Sequence, residues 1–225
     1  LFNCLSSAKA QSANYPFCTI DAQQGQISVP DERLNKLAEL VKPGRIVPAT
    51  CDIVDIAGLV KGASQGEGLG NQFLGNIRET DAIIHVLRCF DNDNIVHVDG
   101  SVNPVRDKEI IDAELQLKDL ETVENRIKRV EKQARVGGDK QAKLEFDVLS
   151  AYRDALLQGK SARTVTFETE DEIATAKGLF LLTTKPVLYV CNVDDTSAAN
   201  GNPYVEAVRE AIKDEDAELL IISAQ

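Results

Sequence analysis

The feature that most constrains the fold is a short apolar strand that runs directly into a glycine-rich loop, within residues 51–81. The strand opens as CDIVDI, is expected to be buried because it is rich in Ile and Val, and ends on the pattern Asp-x-x-Gly, which begins at Asp55. A carboxylate at a strand end can help to hold Mg²⁺, and a glycine lets a bare backbone N–H approach a phosphate. The segment therefore predicts either a phosphate-sensing loop or a glycine-rich surface loop on a doubly wound sheet. The glycines fall within thirteen residues: Gly58, Gly62, Gly66, Gly68 and Gly70.

Composition excludes several classes of protein. The chain has 225 residues and a net charge of −11, which argues against a general grip on nucleic acid, so no sequence-specific DNA binding is expected. It has no apolar run of about 18 residues and no signal-peptide pattern, so no membrane span is expected. Its five cysteines are scattered and form no Cys-x-x-Cys pair, which disfavours zinc and disulfides and favours a reducing cytoplasm. It begins without Met, in what reads as the middle of a helix, so we expect a fragment.

Strands and helices alternate along the chain, which predicts a mostly parallel, doubly wound α/β sheet with helices on both faces. The run AIIHVL at 82–87 is continuously apolar and is expected to be buried on both faces. Strands are predicted at 19–29 (broken at Gly25), 51–56, 82–87, 186–191 and 218–223. Helices are predicted from Asp31 to the Pro43-Gly44 stop and at 107–135, 140–157, 169–176 and 203–213.

The two longest predicted helices form a helical hairpin inserted into the sheet. They are joined by Gly137-Gly138, and the first is highly charged around a narrow apolar seam like that of a coiled coil. We expect a nucleotide-binding domain at 1–106 and 181–225 and a hairpin domain at 107–180. The hairpin is either a structural arm or a docking surface for a partner. Its seam is predicted at Ile110, Ala113, Leu117, Leu120, Val123, Ile127, Val130 and Ala134.

Polar residues follow the last two predicted strands, where ligands bind in doubly wound sheets. Asn192 follows PVLYVC and can bond a purine ring, and Asp195 lies three residues on and can accept from purine N–H donors. The backbone N–H groups of Ser223 and Ala224 follow ELLIIS and can meet a carbonyl of the base. Together with Thr19 and the Asp-x-x-Gly pattern, these elements occur in the order of a Ras-like GTPase core.

These segments closely resemble the YchF family of Obg-related P-loop nucleotidases. The resemblance is carried by NYPFCTI at 14–20 and by DIAGLVKGASQGEGLGNQFLGNIRETDAIIHVLRCFDNDNIVHV at 55–98, and it extends over essentially the whole chain, the hairpin included. It implies a Ras-like P-loop fold with an inserted coiled-coil hairpin. It also implies a cytoplasmic ATPase that associates with ribosomes and uses Mg²⁺.

The resemblance also implies a role for each site residue. Thr19 and Asp55 correspond to the Mg²⁺ site, and Gly58 to the γ-phosphate sensor. Leu59 stands where Ras-like enzymes carry the Gln that orients water, and a leucine cannot hydrogen-bond water. The resemblance assigns that function to His97, which could otherwise be a structural histidine. Base contacts are implied at Asn192, Val193, Asp195, Ser223 and Ala224.

The chain departs from the family pattern in ways that leave two points open. The family's phosphate-binding loop and its C-terminal TGS domain are absent from the sequence, so we expect this fragment alone to be inactive. The family pattern Asn-x-x-Glu reads Asn-x-x-Asp here, and Asp195 is the residue that reads guanine in GTPases. ATP is therefore favoured with GTP open, and a non-catalytic docking module is the alternative to a hydrolysing switch.

Overall fold

The structure, a computed structural model, describes residues 1–6, 23–56, 69–92, 94–95, 97, 100–136 and 139–224. Its strands are β1 Gln23–Ser28, β2 Thr50–Asp55, β3 Ile83–Arg88, β4 Val187–Asn192 and β5 Glu218–Ile222. Its helices are α1 Phe2–Leu5, α2 Glu32–Val41, α3 Leu69–Arg78, α4 Pro104–Val136, α5 Lys140–Leu157, α6 Glu170–Lys177 and α7 Pro203–Ala211. Single 3₁₀ turns lie at Ala162–Thr164, Leu182–Thr184 and Asp195–Ser197.

The chain divides into two compact units, Leu1–Gly58 and Leu59–Gln225. In the first unit, β1 and β2 form an antiparallel pair, and the Asp31 side chain caps the start of α2 by accepting from the Arg33 N–H. Gly25 does not break its strand as predicted. It lies within β1, and its lack of a side chain lets Ser6 approach closely. A Cβ at position 25 would come within 2.5 Å of the Ser6 Cβ.

The second unit is built on a parallel sheet in the order β3-β4-β5. This confirms the predicted parallel α/β architecture for these strands. The central strand β4 is the most buried, because it has a neighbour on each side and α7 packs on it. The core beneath the sheet is formed by Leu87, Cys89, Val187, Tyr189, Cys191, Val193, Val205, Val208 and Ile212.

Two strands are less buried than the sequence predicts. In β3, Ile84 and Val86 are 45% and 48% exposed, so one face of this strand is uncovered by the described residues. In β2, Cys51 is exposed, since its only described sheet neighbour is β1. An apolar run therefore identified the strands correctly but overestimated their burial, because burial depends on what covers each face.

The predicted helical hairpin is confirmed: α4 and α5 pack together and enclose a second core that includes Val123, Ile127, Leu149 and Tyr152. The predicted seam holds in that half of α4 but not towards its start. There, Leu117 is 47% exposed, whereas Leu115 is buried. No described helix is both long and apolar enough to cross a membrane.

The buried carboxylate of Asp119 explains why the apolar seam departs from the predicted positions towards the start of α4. Its Oδ1 accepts the Leu182 N–H at 2.8 Å, and its Oδ2 accepts the N–H and the hydroxyl of Thr183 at 2.7 Å each. The Thr183 hydroxyl oxygen in turn accepts the Ala162 N–H at 2.9 Å. Burial raises the pKa of Asp119, while these hydrogen bonds act in the opposite direction. The hydrogen bonds of Asp119 thus determine which side of α4 faces the 3₁₀ turns.

We expect Asp119→Asn to destabilise the full-length protein, because the amide nitrogen would replace an oxygen that faces only donors. The loss should be about 1–3 kcal/mol in the free energy of unfolding, as for a buried polar group left unsatisfied. Urea denaturation followed by circular dichroism measures it. Glu121→Gln, two residues along and exposed, is the matched control, and an equal midpoint for both variants would contradict the role given to Asp119.

Candidate nucleotide-binding site

The residues at the carboxyl ends of β3, β4 and β5 are joined by backbone hydrogen bonds that continue past the strands. The Cys89 N–H donates to the Asn192 carbonyl, and the Val193 N–H donates to the Ile222 carbonyl, both at 2.8 Å. Val193 is buried, so its side chain anchors the loop while its neighbours stay at the surface. The sheet therefore fixes the start of both loops that carry predicted base contacts.

Four of the predicted base-binding residues come together here. The Asn192 Oδ1 accepts the Ala224 N–H at 2.9 Å, and the Ser223 hydroxyl donates to the Asp195 Oδ1. These two contacts tie the loop after β4 to the loop after β5. Within the described residues, the Asn192 amide nitrogen makes no hydrogen bond to protein, so a donor remains for a ligand. The cluster thus presents an amide donor beside a carboxylate.

The short 3₁₀ turn after β4 holds Asp195 in place. The Asp194 carboxylate accepts from the Thr196 hydroxyl at 2.6 Å and from the Ser197 N–H at 2.9 Å. These hydrogen bonds lower the pKa of Asp194, so it stays ionised as the cap of the turn. Asp194 therefore has a local structural role, and Asp195 is the carboxylate beside Asn192.

Two buried thiols lie beneath this cluster, at the ends of β3 and β4. Cys89 and Cys191 are fully buried and share a hydrogen bond. That bond, together with burial, raises the pKa of Cys89, so its thiol stays protonated. A thiol that is both buried and protonated is unreactive. Cys89 therefore serves packing beneath the site.

His97 is paired with an acidic residue on the long helix. Its Nε2 lies 2.9 Å from the Asp107 Oδ2, and the two side chains are 16% and 23% exposed. The chain leading to His97 is held by Arg88 at the end of β3. The guanidinium of Arg88 donates to the carbonyls of Phe90, Asn92 and Ile95. Sequence reasoning named His97 but missed Asp107 and Arg88 as its supports.

The predicted metal and phosphate residues are only partly described. Asp55 lies at the end of β2 in the first unit, is half-buried, and has its pKa raised by burial. Thr19, Gly58 and Leu59 lie outside the described residues. The contact of Thr19 and Gly58 with metal and phosphate therefore stays a prediction, as does the role of Asp55.

Lys185 connects α3, the helix after the glycine-rich loop, to the base of the hairpin. That base is the 3₁₀ turn at Leu182–Thr184, which binds Asp119 of α4. The ammonium group of Lys185 donates to the carbonyl of Arg78, the last residue of α3, at 3.1 Å, and to the carbonyl of Thr80, two residues later. Lys185 directly follows the 3₁₀ turn that binds Asp119 and precedes β4. No motif marks this contact, because it joins a lysine to carbonyls more than a hundred residues away.

Comparison with known proteins identifies the family. Residues 1–126 match the model of the "50S ribosome-binding GTPase" family. The chain is 52% identical, over its whole length, to "Ribosome-binding ATPase YchF" of Bacillus subtilis and covers 62% of that protein. It is 50% identical to the protein of that name in Escherichia coli O157:H7, of which it covers 61%. The structure of the Schizosaccharomyces pombe YchF GTPase is similar, with a TM-score of 0.77 and 35% identity over 99% of this chain.

The chain spans about three fifths of the length of these relatives, including 61% of the S. pombe chain. The match to the family model covers more than half of the chain, and the relatives agree with the resemblance found in its motifs. The α/β fold of a P-loop GTPase, predicted from the order of strands and motifs, is thereby confirmed. The chain belongs to the 50S ribosome-binding GTPase family and, within it, is similar to the proteins named YchF.

Proposed function

We propose that this chain is the nucleotide-binding and hairpin part of a cytoplasmic, ribosome-associated switch that hydrolyses ATP, with GTP as the alternative substrate. Residues 1–106 and 181–225 make the nucleotide-binding domain and residues 107–180 the hairpin domain. The proposal is carried by the joined loops of Asn192 and Ala224 at the carboxyl ends of β4 and β5. Because protein contacts already order these loops, less conformational entropy is lost when a purine binds.

The base is read by an amide and a carboxylate. The Asn192 amide nitrogen donates to the purine N7, and Asp195 accepts from N–H donors on the base. The contact of the Asn192 oxygen with the Ala224 N–H fixes which end of the amide faces the ligand. ATP is favoured on the family resemblance and on the names of the relatives, while the carboxylate of Asp195 favours guanine.

We expect Asn192→Ala in the full-length protein to weaken binding of both ATP and GTP about tenfold, the equivalent of one hydrogen bond. Asn200→Ala, on the exposed turn that follows, is the matched control and should bind normally. Competition of labelled ATP with unlabelled GTP measures the preference. Displacement by GTP at a much lower concentration than by ATP would show that Asp195 reads guanine and that the choice of ATP is wrong.

Mg²⁺ fits the chemistry at the end of β2. Asp55 supplies a carboxylate that, on the family resemblance, supports the ion from outside its inner coordination sphere, and the burial that raises its pKa makes a nearby cation favourable. Asp55 and Thr19 would hold the ion, which when bound would neutralise charge on the phosphates. The assignment of Thr19 rests on the family resemblance.

Hydrolysis needs a polar group near the attacking water, and position 59 cannot supply one. A leucine has neither donor nor acceptor, so without another group the rate stays at the slow background of Ras-like enzymes. A neutral imidazole can accept a hydrogen bond from water near neutral pH. His97 lies on a segment that Arg88 holds at the end of β3, where ligands of a parallel sheet bind. We therefore assign the catalytic role to His97.

We expect His97→Ala to lower kcat by about 10²–10⁴-fold, the usual cost of losing a positioned base. Nucleotide affinity should change little, because the imidazole contacts water and not the nucleotide. Leu59→Ala, the control for the position occupied by Gln in Ras-like enzymes, should alter turnover much less. Stopped-flow binding and steady-state hydrolysis of the full-length variants separate the two parameters. Turnover at the wild-type rate in His97→Ala would return His97 to a structural role.

The end of the hairpin is the surface we assign to the ribosome. Between residues 126 and 143 it carries seven basic residues against two acidic ones, in a chain whose net charge is −11. Phosphates of ribosomal RNA are the natural complement of such a patch. Lys128, Arg129 and Lys132 are exposed, as the proposal needs. This surface equally suits the alternative function, a docking module in which hydrolysis is vestigial.

We expect Lys128→Glu/Lys132→Glu to reduce co-sedimentation of the full-length protein with ribosomes and to make binding less dependent on salt. Each lost phosphate contact should lower the slope of log affinity against log salt by about one. Lys160→Glu/Lys177→Glu changes the charge equally at exposed sites elsewhere and is the control. Equal binding by both double variants would contradict this assignment. Ribosome binding that persists without any nucleotide hydrolysis would favour the docking module.

A further inference from the structure

We propose that Asp107, in the first turn of α4, is the positioning residue for His97. It holds the imidazole in one tautomer and one orientation, and so joins the segment that carries His97 to the long helix of the hairpin. The inference rests on the proposed function, in which His97 assists the attack of water.

The two oxygens of the Asp107 carboxylate have separate partners. Oδ2 lies 2.9 Å from the His97 Nε2. Oδ1 accepts from the Arg106 Nε at 3.1 Å and from the Arg106 Nη2 at 2.9 Å. The guanidinium thus holds one side of the carboxylate while the imidazole binds the other. Because both side chains of the His97–Asp107 pair are mostly buried, competition from water is reduced.

This contact determines which ring nitrogen carries a proton. An ionised carboxylate only accepts hydrogen bonds, so the His97 Nε2 must be the donor. In the neutral ring, Nδ1 is then the atom with the acceptor lone pair. Asp107 therefore holds His97 in the Nε2-protonated form and in one orientation, as a group that assists the attacking water requires. An asparagine of the same shape would not impose that tautomer, since it can also donate to an unprotonated Nε2.

Asp107 is itself held firmly, as a positioning group must be. Its N–H donates to the Asn103 carbonyl at 3.0 Å, and the Asn103 side chain accepts the Arg106 N–H at 3.0 Å, which fixes the first turn of α4. Arg106 also donates to the carbonyl and the hydroxyl of Ser101. The next residue, Lys108, is buried and ion-paired with Asp112 and Glu215. The carboxylate therefore has little freedom to leave His97.

The dipole of α4 gives Asp107 a second, purely structural explanation. An acidic residue in the first turn of a helix is favoured by the helix dipole, whatever its side chain touches. Stability measurements alone cannot separate this role from positioning. Only a dependence of the Asp107 effect on the presence of His97 can do so.

The test is a double-mutant cycle on the full-length protein with Asp107→Asn and His97→Ala. Asp107→Asn should lower kcat on the order of 10²-fold, as for a misplaced catalytic group, with nucleotide affinity unchanged. In the His97→Ala background the same change should have no further effect. Nitrogen-15 NMR of the imidazole should report a single Nε2-protonated tautomer in the wild type and a mixture in Asp107→Asn. Asp107→Glu, which keeps the carboxylate, should recover part of the rate.

The control is Glu109→Gln, which removes an exposed acidic side chain from the same part of α4 and should leave kcat and tautomer unchanged. If His97→Ala turns over normally, the catalytic assignment of His97 fails and this inference fails with it. If His97→Ala is slow but Asp107→Asn is as fast as Glu109→Gln, the inference alone is wrong. Multiplicative losses in the double variant would also overturn it, since Asp107 would then act independently of His97.

Discussion

The buried carboxylate of Asp119 sets the register on which the second unit depends. A charge this far from water is tolerated only when its oxygens are fully hydrogen-bonded. Asp119 meets that requirement with two backbone N–H groups and one hydroxyl from the turn before β4. Rotation of α4 by one residue would leave those donors without their acceptor. The orientation of the longest helix is therefore fixed by polar contacts as well as by apolar packing.

A second buried charge fixes the start of the same helix. Lys108 pairs with Asp112 and with Glu215, and lies over the ring of Tyr189 in β4. Burial disfavours the ammonium charge, but the hydrogen bonds with both carboxylates outweigh it and raise the pKa of Lys108. The start of α4 is thus attached to the parallel sheet and its middle to the hairpin base. Asp107 is held in position because the ion pairs of its neighbour Lys108 fix this turn of α4.

The sequence predicted the strands and the residues that cluster after β4 and β5 because both are local signals, while base binding by that cluster stays a prediction. PVLYVC is a continuous apolar run, and it became the most buried strand, with Asn192 at its end. The supports of the site could not be found in this way. Asp107 and Lys185 act on partners that lie ten and about a hundred residues away, with no periodicity linking them. The predicted apolar seam failed towards the start of α4 for a related reason, since Asp119 and Lys108 occupy buried positions where a period of three or four expects apolar side chains.

The turn at Leu182–Thr184 and Lys185 after it bring three parts of the second unit to one place. Thr183 binds the hairpin through Asp119, Lys185 binds the carbonyls that end α3, and β4 begins two residues later. Hydrogen bonds weaken steeply with distance and angle, so the end of α3 cannot shift by an ångström or two while all of these contacts persist. A displacement of the end of α3 would therefore meet resistance from the hairpin base. Strand β4 and the hairpin are therefore connected to α3 through side-chain contacts of a single short segment.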